Sequence, residues 1–477
     1  MEILGWVASA CYLLLLVTTL VIILTDRSNY NPSKAIAWLV LIMFLPILGI
    51  LLYFIFGFDR RRIGATEKDR QKFMQEFVPK LPPEVSSFLQ TPHYYLNRID
   101  PSHRPLARLL ERNNYSRILY GSEVEIITDG SQKLERLIED MEQARSHIHC
   151  EFFLFHKDKT SRRIREVLMH KAEEGVEVRF VYDNIANINI PIWYYTKMRK
   201  SGVQVKLFTR LSLSSIRRSL NNRNHRKIVV IDGKVGYVGG MNITSQTLRW
   251  RDAHLRIKGQ GVHGLQINFL QSWYNSGGSL GDEVAPYFPI APIFTQNLMQ
   301  IVPEAPDTRF PYYALSVVKV IENAKKYIYI QTPYFMPTES VMRSLKSAAL
   351  SGVEVRIMVS RKSDFVFMDW AIQANYEKTL EAGIHIHEIQ NYFSHAKSMV
   401  VDDYLSIIGS SNLDYRSLEL NFEINSFMYD EKIAVQNREI FLKDMEDCVE
   451  LSLDEWRKRP WWRKILQIIM RFFSPLL

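Results

Sequence analysis

Two copies of one pattern of reactive residues occur in the sequence, 170 residues apart. Each copy reads His-x-Lys, four residues, Asp, six residues, Gly-Gly or Gly-Ser, one residue, Asn. The members are His225, Lys227, Asp232, Gly239 and Asn242 in the first copy, and His395, Lys397, Asp402, Gly409 and Asn412 in the second. A lone His-x-Lys-x4-Asp match arises by chance in roughly a few per cent of chains this long. The repeated pattern therefore predicts one site built from two equivalent parts.

These residue types suit displacement at a phosphodiester. Neutral imidazole is a nucleophile, and its ordinary pKa of ~6.5 leaves it mostly neutral at pH 7. One histidine can attack phosphorus to form a phosphohistidine, while the other protonates the departing alkoxide and later deprotonates the incoming alcohol. The lysines and the asparagine amides can hold the non-bridging oxygens in the transition state. The sequence therefore predicts chemistry that needs neither a metal nor a cofactor, and it contains no nucleotide-binding glycine motif.

Each copy is predicted to be a strand, a tight turn and a second strand. Apolar and β-branched residues flank Asp232-Gly233 in the first copy and Asp402-Asp403 in the second. Residues two apart on a strand share a face, so the histidine and lysine of each copy point the same way. The aspartates lie five residues beyond the lysines, at the turns. This spacing favours a structural role for Asp232 and Asp402.

The sequence around the two copies also repeats. Similar pairs of segments are 134–155 with 314–335, 175–184 with 352–361, and 201–208 with 382–389. Because helical and strand patterns alternate in them, we predict an α/β fold of two homologous halves, each a mostly parallel sheet flanked by helices. The predicted halves span residues 118–285 and 293–450. The glycine- and proline-rich stretch Ser276–Gln296 is the predicted junction.

The doubled pattern resembles the phospholipase D superfamily, and its flanks are similar to the bacterial cardiolipin synthases within it. The resemblance implies a shared site to which each half gives one His-Lys pair, and it counts Asp232 and Asp402 with that site. It also implies a carboxylate downstream of each asparagine that orients the histidine of its own copy. Asp252 and Glu423 stand at those places, ten and eleven residues beyond Asn242 and Asn412.

By the same resemblance His225 is the nucleophile and His395 the acid/base, roles that the residues alone do not separate. The implied reaction joins two phosphatidylglycerols into cardiolipin and free glycerol. A phospholipase D-type hydrolase, or a transphosphatidylase with another acceptor alcohol, would use the same residues. So would a membrane-tethered phosphodiesterase acting on nucleic acid, but the basic stretches lack the interleaved aromatic residues that stack on bases. A non-catalytic scaffold would not need both copies intact.

Two long charge-free runs predict a transmembrane hairpin over residues 1–58. Ile3–Leu24 and Ala35–Phe58 contain no charged residue, and at 1.5 Å per residue each can cross a hydrocarbon layer of ~30 Å. The connecting loop, Asp26–Lys34, has two basic residues, whereas segment 59–72 is much more basic. The positive-inside rule then predicts a multi-pass protein of the cell membrane, with its catalytic halves in the cytoplasm.

Basic residues elsewhere predict contact with anionic lipid. The net charge is +9, which suits an anionic membrane surface or nucleic acid. Residues 59–117 are predicted to be a linker with one short helix near Leu106–Arg112. A basic loop before the first catalytic strand is predicted to lie at the mouth of the site, either solvated or in contact with lipid headgroups. It contains Arg217, Arg218, Arg223 and Arg226.

The tail, residues 451–477, has an amphipathic pattern. In residues 461–473 tryptophan, isoleucine and phenylalanine occupy one helical face and basic residues the other. This pattern is typical of a helix lying in a membrane interface, and the alternative is a helix packed on the protein core. The three cysteines, Cys11, Cys150 and Cys448, have no spacing that indicates a disulfide framework or a zinc site.

Overall fold

Two β-sheets carry the two halves of the chain, which confirms the predicted duplication. The computed structural model describes residues 2–25, 32–53, 63–112, 116–208, 222–306, 308, 310–364 and 366–473. Over these residues the first copy of the pattern lies in a seven-stranded sheet and the second in a nine-stranded sheet.

The strands follow the repeated segments. Those of the first half are β1 (Leu119–Tyr120), β2 (Glu123–Ile127), β3 (His147–Phe152), β4 (Glu177–Tyr182), β5 (Gln204–Leu207), β6 (Ile228–Ile231), β7 (Val235–Gly239) and β8 (His254–Lys258). Those of the second half are β9 (Leu298–Glu304), β10 (Tyr327–Gln331), β11 (Glu354–Ser360), β12 (His385–Ile389), β13 (Ser398–Val401), β14 (Leu405–Gly409), β15 (Glu423–Tyr429) and β16 (Cys448–Glu450).

Both sheets are mixed, so the prediction of mostly parallel sheets is wrong. The first sheet has the order β2-β8-β7-β6-β3-β4-β5, and the second β1-β9-β15-β14-β13-β10-β11-β12-β16. Among the described strands the parallel neighbours are β3–β4 and β4–β5 in the first sheet, and β10–β11 and β11–β12 in the second. These strands form the alternating segments on which the prediction rested. The motif itself is an antiparallel hairpin, β6–β7 or β13–β14, and further antiparallel strands extend it.

The helices fall into three groups along the chain. The amino-terminal helices are α1 (Glu2–Thr25), α2 (Pro32–Phe44), α3 (Pro46–Leu52), α4 (Ile63–Phe77), α5 (Pro83–Gln90) and α6 (Arg104–Arg112). Those of the first half are α7 (Gly130–Glu142), α8 (Lys159–Glu173), α9 (Ile192–Lys200) and α10 (Gly261–Asn275). The remaining helices are α11 (Tyr312–Asn323), α12 (Glu339–Leu350), α13 (Val366–Gln373), α14 (Tyr376–Leu380), α15 (Tyr415–Glu419), α16 (Glu431–Met445), α17 (Leu453–Arg457) and α18 (Trp461–Phe473).

The two halves share a hydrophobic core. Helices α7, α8 and α9 pack on the outer face of the first sheet, and α11 to α14 pack on that of the second. Between the sheets, α10 and strands β6 to β8 form one buried cluster with β14 and β15. Burial of apolar area is the main driving force for association, so this cluster fixes the halves against each other. The motif strands lie at that junction.

The segment before the halves is a packed helical region, which corrects the prediction of a linker. Its described part forms α4, α5 and α6, and the last of these contains the predicted short helix. Phe73 and Phe77 are fully buried against the first half, and Leu106 and Leu110 against the second. A spacing of four residues puts each pair on one helical face. The segment therefore contacts both halves.

The second charge-free run is interrupted. Its described part, to residue 53, forms α2 and α3 with a break at Leu45, and Pro46 opens α3, where its missing N–H costs no hydrogen bond. Measured over the described residues, none of the helices has both the length and the apolar character that crossing a bilayer requires. The predicted basic residues at 27 and 60–62, and Arg217 and Arg218, lie outside the described residues.

Helix α18 packs on the protein through a side that contains the buried Gln467 and Met470, which contacts the core of the second half. Gln467 is 2% exposed and donates from Nε2 to Gln373 Oε1 at 3.2 Å. On the opposite side the large apolar residues are open, and Ile468 is 68% exposed. Helix α18 lies against α13 and α2. The apolar face is therefore turned away from the core, contrary to the alternative of a core-packed helix.

Candidate active site

The backbone of each motif histidine is bound to the opposite half. His225 N–H donates to the carbonyl oxygen of Phe422 at 2.9 Å, and His395 N–H donates to that of Arg251 at 2.7 Å. These bonds belong to two equivalent parallel bridges, Asn224 with Phe422 and Arg251 with Ser394. The structure thus brings the two histidine-bearing segments together at the junction of the halves.

The carboxylates that contact the histidines are exchanged between the halves. Nδ1 of His225 lies 2.9 Å from Oε2 of Glu423, and Nδ1 of His395 lies 2.7 Å from Oδ2 of Asp252. The expectation that each carboxylate orients the histidine of its own copy is therefore wrong. The physical reason is that each carboxylate directly follows a residue, Arg251 or Phe422, that pairs with the histidine segment of the other half. Each His–carboxylate pair needs both halves.

Burial is the main cause of the lowered pKa of both motif histidines. It lowers the pKa of His225 to about 4, although Glu423 opposes the shift and Lys227 reinforces it. Burial likewise lowers the pKa of His395 to about 3, with Lys397 adding to the effect and Asp252 opposing it. Both imidazoles are therefore neutral near pH 7. With a carboxylate accepting the Nδ1 proton, each Nε2 keeps its lone pair and is turned from the carboxylate.

Glu423 has a more extensive hydrogen-bond shell than Asp252. Its carboxylate also accepts hydrogen bonds from the side chains of Ser410, Ser417 and Asn421. Burial raises the pKa of Glu423, but His225, Lys227 and Ser410 outweigh that effect and hold it below its ordinary value. The sequence analysis missed these polar residues. The available signal was the Gly-Ser of the second copy, which replaces Gly-Gly in the first.

The first copy has Gly240 where the second has Ser410, and packing against Asp252 explains the glycine. A Cβ on Gly240 would lie 2.2 Å from Oδ1 of Asp252, a distance that real atoms do not allow. Asp252 instead accepts from the backbone N–H of Ala253 at 2.7 Å.

A buried lysine acts on Asp252. Lys133 is fully buried, and burial lowers its pKa to about 7 while Asp252 raises it. The counterpart of Lys133 in the second half is Tyr313. Burial raises the pKa of the Tyr313 phenol, and the charge of Glu423 adds to that rise.

Each motif lysine is anchored beside its own histidine. Lys227 Nζ donates to the carbonyl oxygen of His225 at 2.5 Å, and Lys397 Nζ donates to that of His395. Burial lowers the pKa of Lys397 to about 8 and depresses that of Lys227 strongly. Each lysine also acts electrostatically on the histidine of the other half. The two histidines and two lysines therefore form one electrostatic unit.

Both motif asparagines are buried, but they have different partners. Asn242 Oδ1 accepts from the backbone N–H of Leu154 at 3.3 Å. Asn412 Nδ2 donates to Oδ2 of Asp414 at 3.0 Å. The sequence analysis missed Asp414, whose counterpart in the first half is Thr244. In this state the Asn412 amide is thus held by a neighbouring carboxylate.

The structure does not bring the two motif aspartates to the histidines. Asp232 lies beyond the far end of β6, and its carboxylate accepts from the backbone N–H groups of residues 145–147 at 2.8–2.9 Å. Asp402 does the same for residues 325–327 at 2.7–2.9 Å. The four strand residues between each motif lysine and its aspartate span on the order of 13 Å. Both aspartates have a positive φ of 53°, as a tight hairpin turn requires.

The basic loop before the first copy is only partly described. Arg226, predicted to lie at the mouth of the site, is instead buried and bonded to the carbonyl oxygens of Glu423 and Glu304 at 3.0 and 3.1 Å. It therefore joins the halves. Arg223 remains half-buried.

Comparison with known proteins places the chain within a family. A family profile described as "Cardiolipin synthase, PLD-like domain" matches residues 137–273 and 317–445, one motif in each. A second profile, "Phospholipase_D-nuclease N-terminal", matches residues 13–57.

The similarity to individual proteins extends over nearly the whole chain. The chain is 35% identical to the major cardiolipin synthase of Bacillus subtilis, covering 96% of each chain. It is 32% identical to the cardiolipin synthase of Halalkalibacterium halodurans, covering 99% of this chain and 95% of the relative. Among solved structures, phosphatidylserine synthase of Haemophilus influenzae has the same fold, with a TM-score of 0.61 at 13% identity, covering 77% of this chain and 99% of that one.

Proposed function

The chain belongs to the cardiolipin synthases of the phospholipase D-like family, and on that premise we propose that it transfers a phosphatidyl group between two phosphatidylglycerols. The products are cardiolipin and glycerol. The observation that carries the mechanism is the pair of exchanged His–carboxylate contacts, which orient two neutral imidazoles in one site with two lysines.

In the first step Nε2 of His225 attacks the phosphorus of the donor lipid. The P–N bond forms as the P–O bond to glycerol breaks, and His395 protonates the departing oxygen. Glu423 stabilises the charge that develops on His225. The assignment of His225 as nucleophile is supported by the larger hydrogen-bond shell of Glu423 and by the family resemblance.

In the second step the terminal hydroxyl of another phosphatidylglycerol attacks the phosphohistidine. His395 takes the hydroxyl proton, a new P–O bond forms, and His225 leaves as a neutral imidazole. One phosphodiester replaces another, so the exchange is close to balanced in free energy and needs no nucleotide. Lys227 and Lys397 stabilise the non-bridging oxygens throughout.

Substrate binding supplies the acid form of His395. In the free protein the pKa of His395, about 3, leaves this group neutral at pH 7. A phosphodiester anion between the histidines adds negative charge where burial had favoured neutrality, so the pKa of the pair rises. Proton uptake therefore accompanies binding of the donor.

We further propose that the site works at a cell membrane, with the catalytic halves on the cytoplasmic side. Support comes from the charge-free sequence runs in α1 to α3, whose described side chains include exposed Trp6, Phe44 and Ile47. The outward apolar face of α18 lies beside α2. An interfacial helix with basic residues binds anionic lipid in this way. Extraction of membranes with alkaline carbonate tests this, because a merely adsorbed protein is released.

Purified protein with labelled phosphatidylglycerol in detergent micelles tests the reaction. Cardiolipin and glycerol should appear in equal amounts, and excess glycerol should convert cardiolipin back to phosphatidylglycerol. Phosphatidic acid as the main product, with no effect of glycerol, would identify a hydrolase instead.

A further inference from the structure

A polar cleft of about 550 Å³ lies beside His395. The ring of Trp250, from the first half, is 5.2 Å from the imidazole between centroids, and the ring of Phe393 is 6.2 Å away. Both rings line the cleft. The volume is in the range of ligand-binding pockets. The cleft is thus separated from His395 by two aromatic rings that lie beside the imidazole.

Two loops of the second half supply the other walls. The first, Arg361–Asp364, follows β11 and carries Arg361 and Lys362, both exposed. The second follows β12 and carries Gln390 and Asn391. Arg361 Nη1 donates to Gln390 Oε1 at 2.7 Å, so the loops are joined. Cations suit a phosphodiester, and amides and carboxylates suit hydroxyl groups.

Arg361 has no basic counterpart in the aligned first-half segment. In the aligned first-half segment, Asp183 stands where Ser360 stands and Asn184 where Arg361 stands. Asp183 is buried and accepts from the backbone N–H of Asn224 at 2.9 Å. At these aligned positions the halves therefore differ, with a buried acid near His225 and an exposed cation in the cleft beside His395.

The cleft also lies next to apolar surface. The first loop runs into α13, where Phe367 is 64% exposed. Helix α13 packs on α18, which turns Ile468 outward. A lipid could therefore place its headgroup in the cleft while its chains remain against this surface.

We propose that the cleft binds the phosphoglycerol headgroup of the acceptor lipid, with Arg361 and Lys362 at its phosphodiester and its terminal hydroxyl at His395. This inference rests on the proposed function, because the same histidine handles the proton of both alcohols. Glycerol released in the first step leaves the position that the acceptor hydroxyl then takes. The proton of the acceptor hydroxyl passes to Nε2 of His395 as the new P–O bond forms and the P–N bond breaks.

The test separates the acceptor step from donor cleavage. Phosphatidyl-p-nitrophenol gives a burst that counts active sites, and transfer to each acceptor is divided by that burst. The test variant is Arg361→Gln/Lys362→Gln, with Lys362→Gln alone as a milder change. The matched control, Lys325→Gln/Lys326→Gln, removes two exposed charges at the opposite end of β10.

Short-chain phosphatidylglycerol below its micelle concentration, glycerol phosphate and free glycerol serve as acceptors. The test variant should raise the KM for the soluble lipid about 10-fold, because two charge-assisted contacts are lost. Its KM for free glycerol should stay within about 2-fold, because glycerol has no phosphate. If the KM for glycerol phosphate rises in parallel, the cleft recognises the phosphate group. If only the KM for the lipid rises, the cleft recognises the whole lipid.

Equal KM values for the soluble lipid in test and control variants would overturn the proposal, as would an equal rise for free glycerol. Failure of the proposed function looks different, since the unmutated protein would then yield phosphatidic acid with every acceptor.

Discussion

Exchange of the carboxylates between halves makes a prediction about which variants should behave alike. Glu423→Gln should resemble His225→Ala, and Asp252→Asn should resemble His395→Ala. If each carboxylate served its own copy, the pairs would be reversed. The prediction holds whichever histidine is the nucleophile, because each carboxylate variant is compared only with histidine variants.

The size of the effect follows from the tautomer of the ring. The carboxylate of Glu423, 2.9 Å from Nδ1, keeps the proton there and the lone pair on Nε2. An amide can present its N–H₂ to Nδ1, which moves the ring proton to Nε2 and removes the nucleophile. The same carboxylate-to-amide change in a Ser-His-Asp triad lowers kcat about 10⁴-fold. We expect a loss of about 10³–10⁴, or about 4–5 kcal/mol of transition-state stabilisation.

The assay compares two substrates in detergent micelles. With phosphatidyl-p-nitrophenol the leaving group departs without a proton, so the burst needs the nucleophile but not the acid. With phosphatidylglycerol both groups are needed. Glu423→Gln should therefore lose both activities, whereas Asp252→Asn should lose turnover of phosphatidylglycerol and keep most of the p-nitrophenol burst.

Double variants complete the test. His225→Ala/Glu423→Gln should be no slower than His225→Ala alone, because residues that act as a unit are not additive. Circular dichroism and thermal melting confirm that each variant is folded. A p-nitrophenol burst that survives in Glu423→Gln but not in Asp252→Asn, while His225→Ala lacks it, would refute the exchanged pairing.

Four other predictions follow from the site and its supports. Asp402→Asn removes one acceptor and the charge from three backbone contacts, so it should cost about 1–3 kcal/mol of folding stability while leaving the rate per folded molecule unchanged; a folded but inactive variant would contradict this. Chelators should not slow turnover in micelles, since lysines supply the positive charge, and a loss restored by one divalent ion would refute that. Binding of a phosphodiester analogue at pH 6 should take up about one proton, measured from the buffer dependence of the calorimetric heat, and its affinity should fall as pH rises. Burial lowers the pKa of Lys133 to about 7 in the folded protein. The amount by which this lysine reduces the free energy of unfolding therefore grows as pH falls from ~10.5 to ~7, and it is constant below pH ~7. Lys133→Met should accordingly raise Tm more at pH 6 than at pH 9.

The local parts of the fold and site could be predicted because sequence spacing encodes them. The duplication, the motif hairpins and the turn positions of Asp232 and Asp402 follow from strand periodicity and turn chemistry. Phe73 and Phe77, two aromatic residues one helical turn apart, also indicate a buried helical face, although the polar composition around them favours a linker.

The pairing of carboxylates with histidines was not readable in the same way. Asp252 and Glu423 each stand a similar number of residues beyond an asparagine, whichever histidine they contact. Their partners depend on how two sheets meet, and this is set by the shared core of α10, β6–β8, β14 and β15. The mixed sheets escaped prediction for a related reason, since neighbours in a sheet need not be neighbours in the chain.

The exchanged contacts also bear on how the chain becomes active during its synthesis. When the first half has emerged and folded, His225 has no carboxylate, because Glu423 has yet to be made. The proposed nucleophile therefore gains its orienting carboxylate only after β15 has docked. A truncated chain lacking β15 should therefore be inactive.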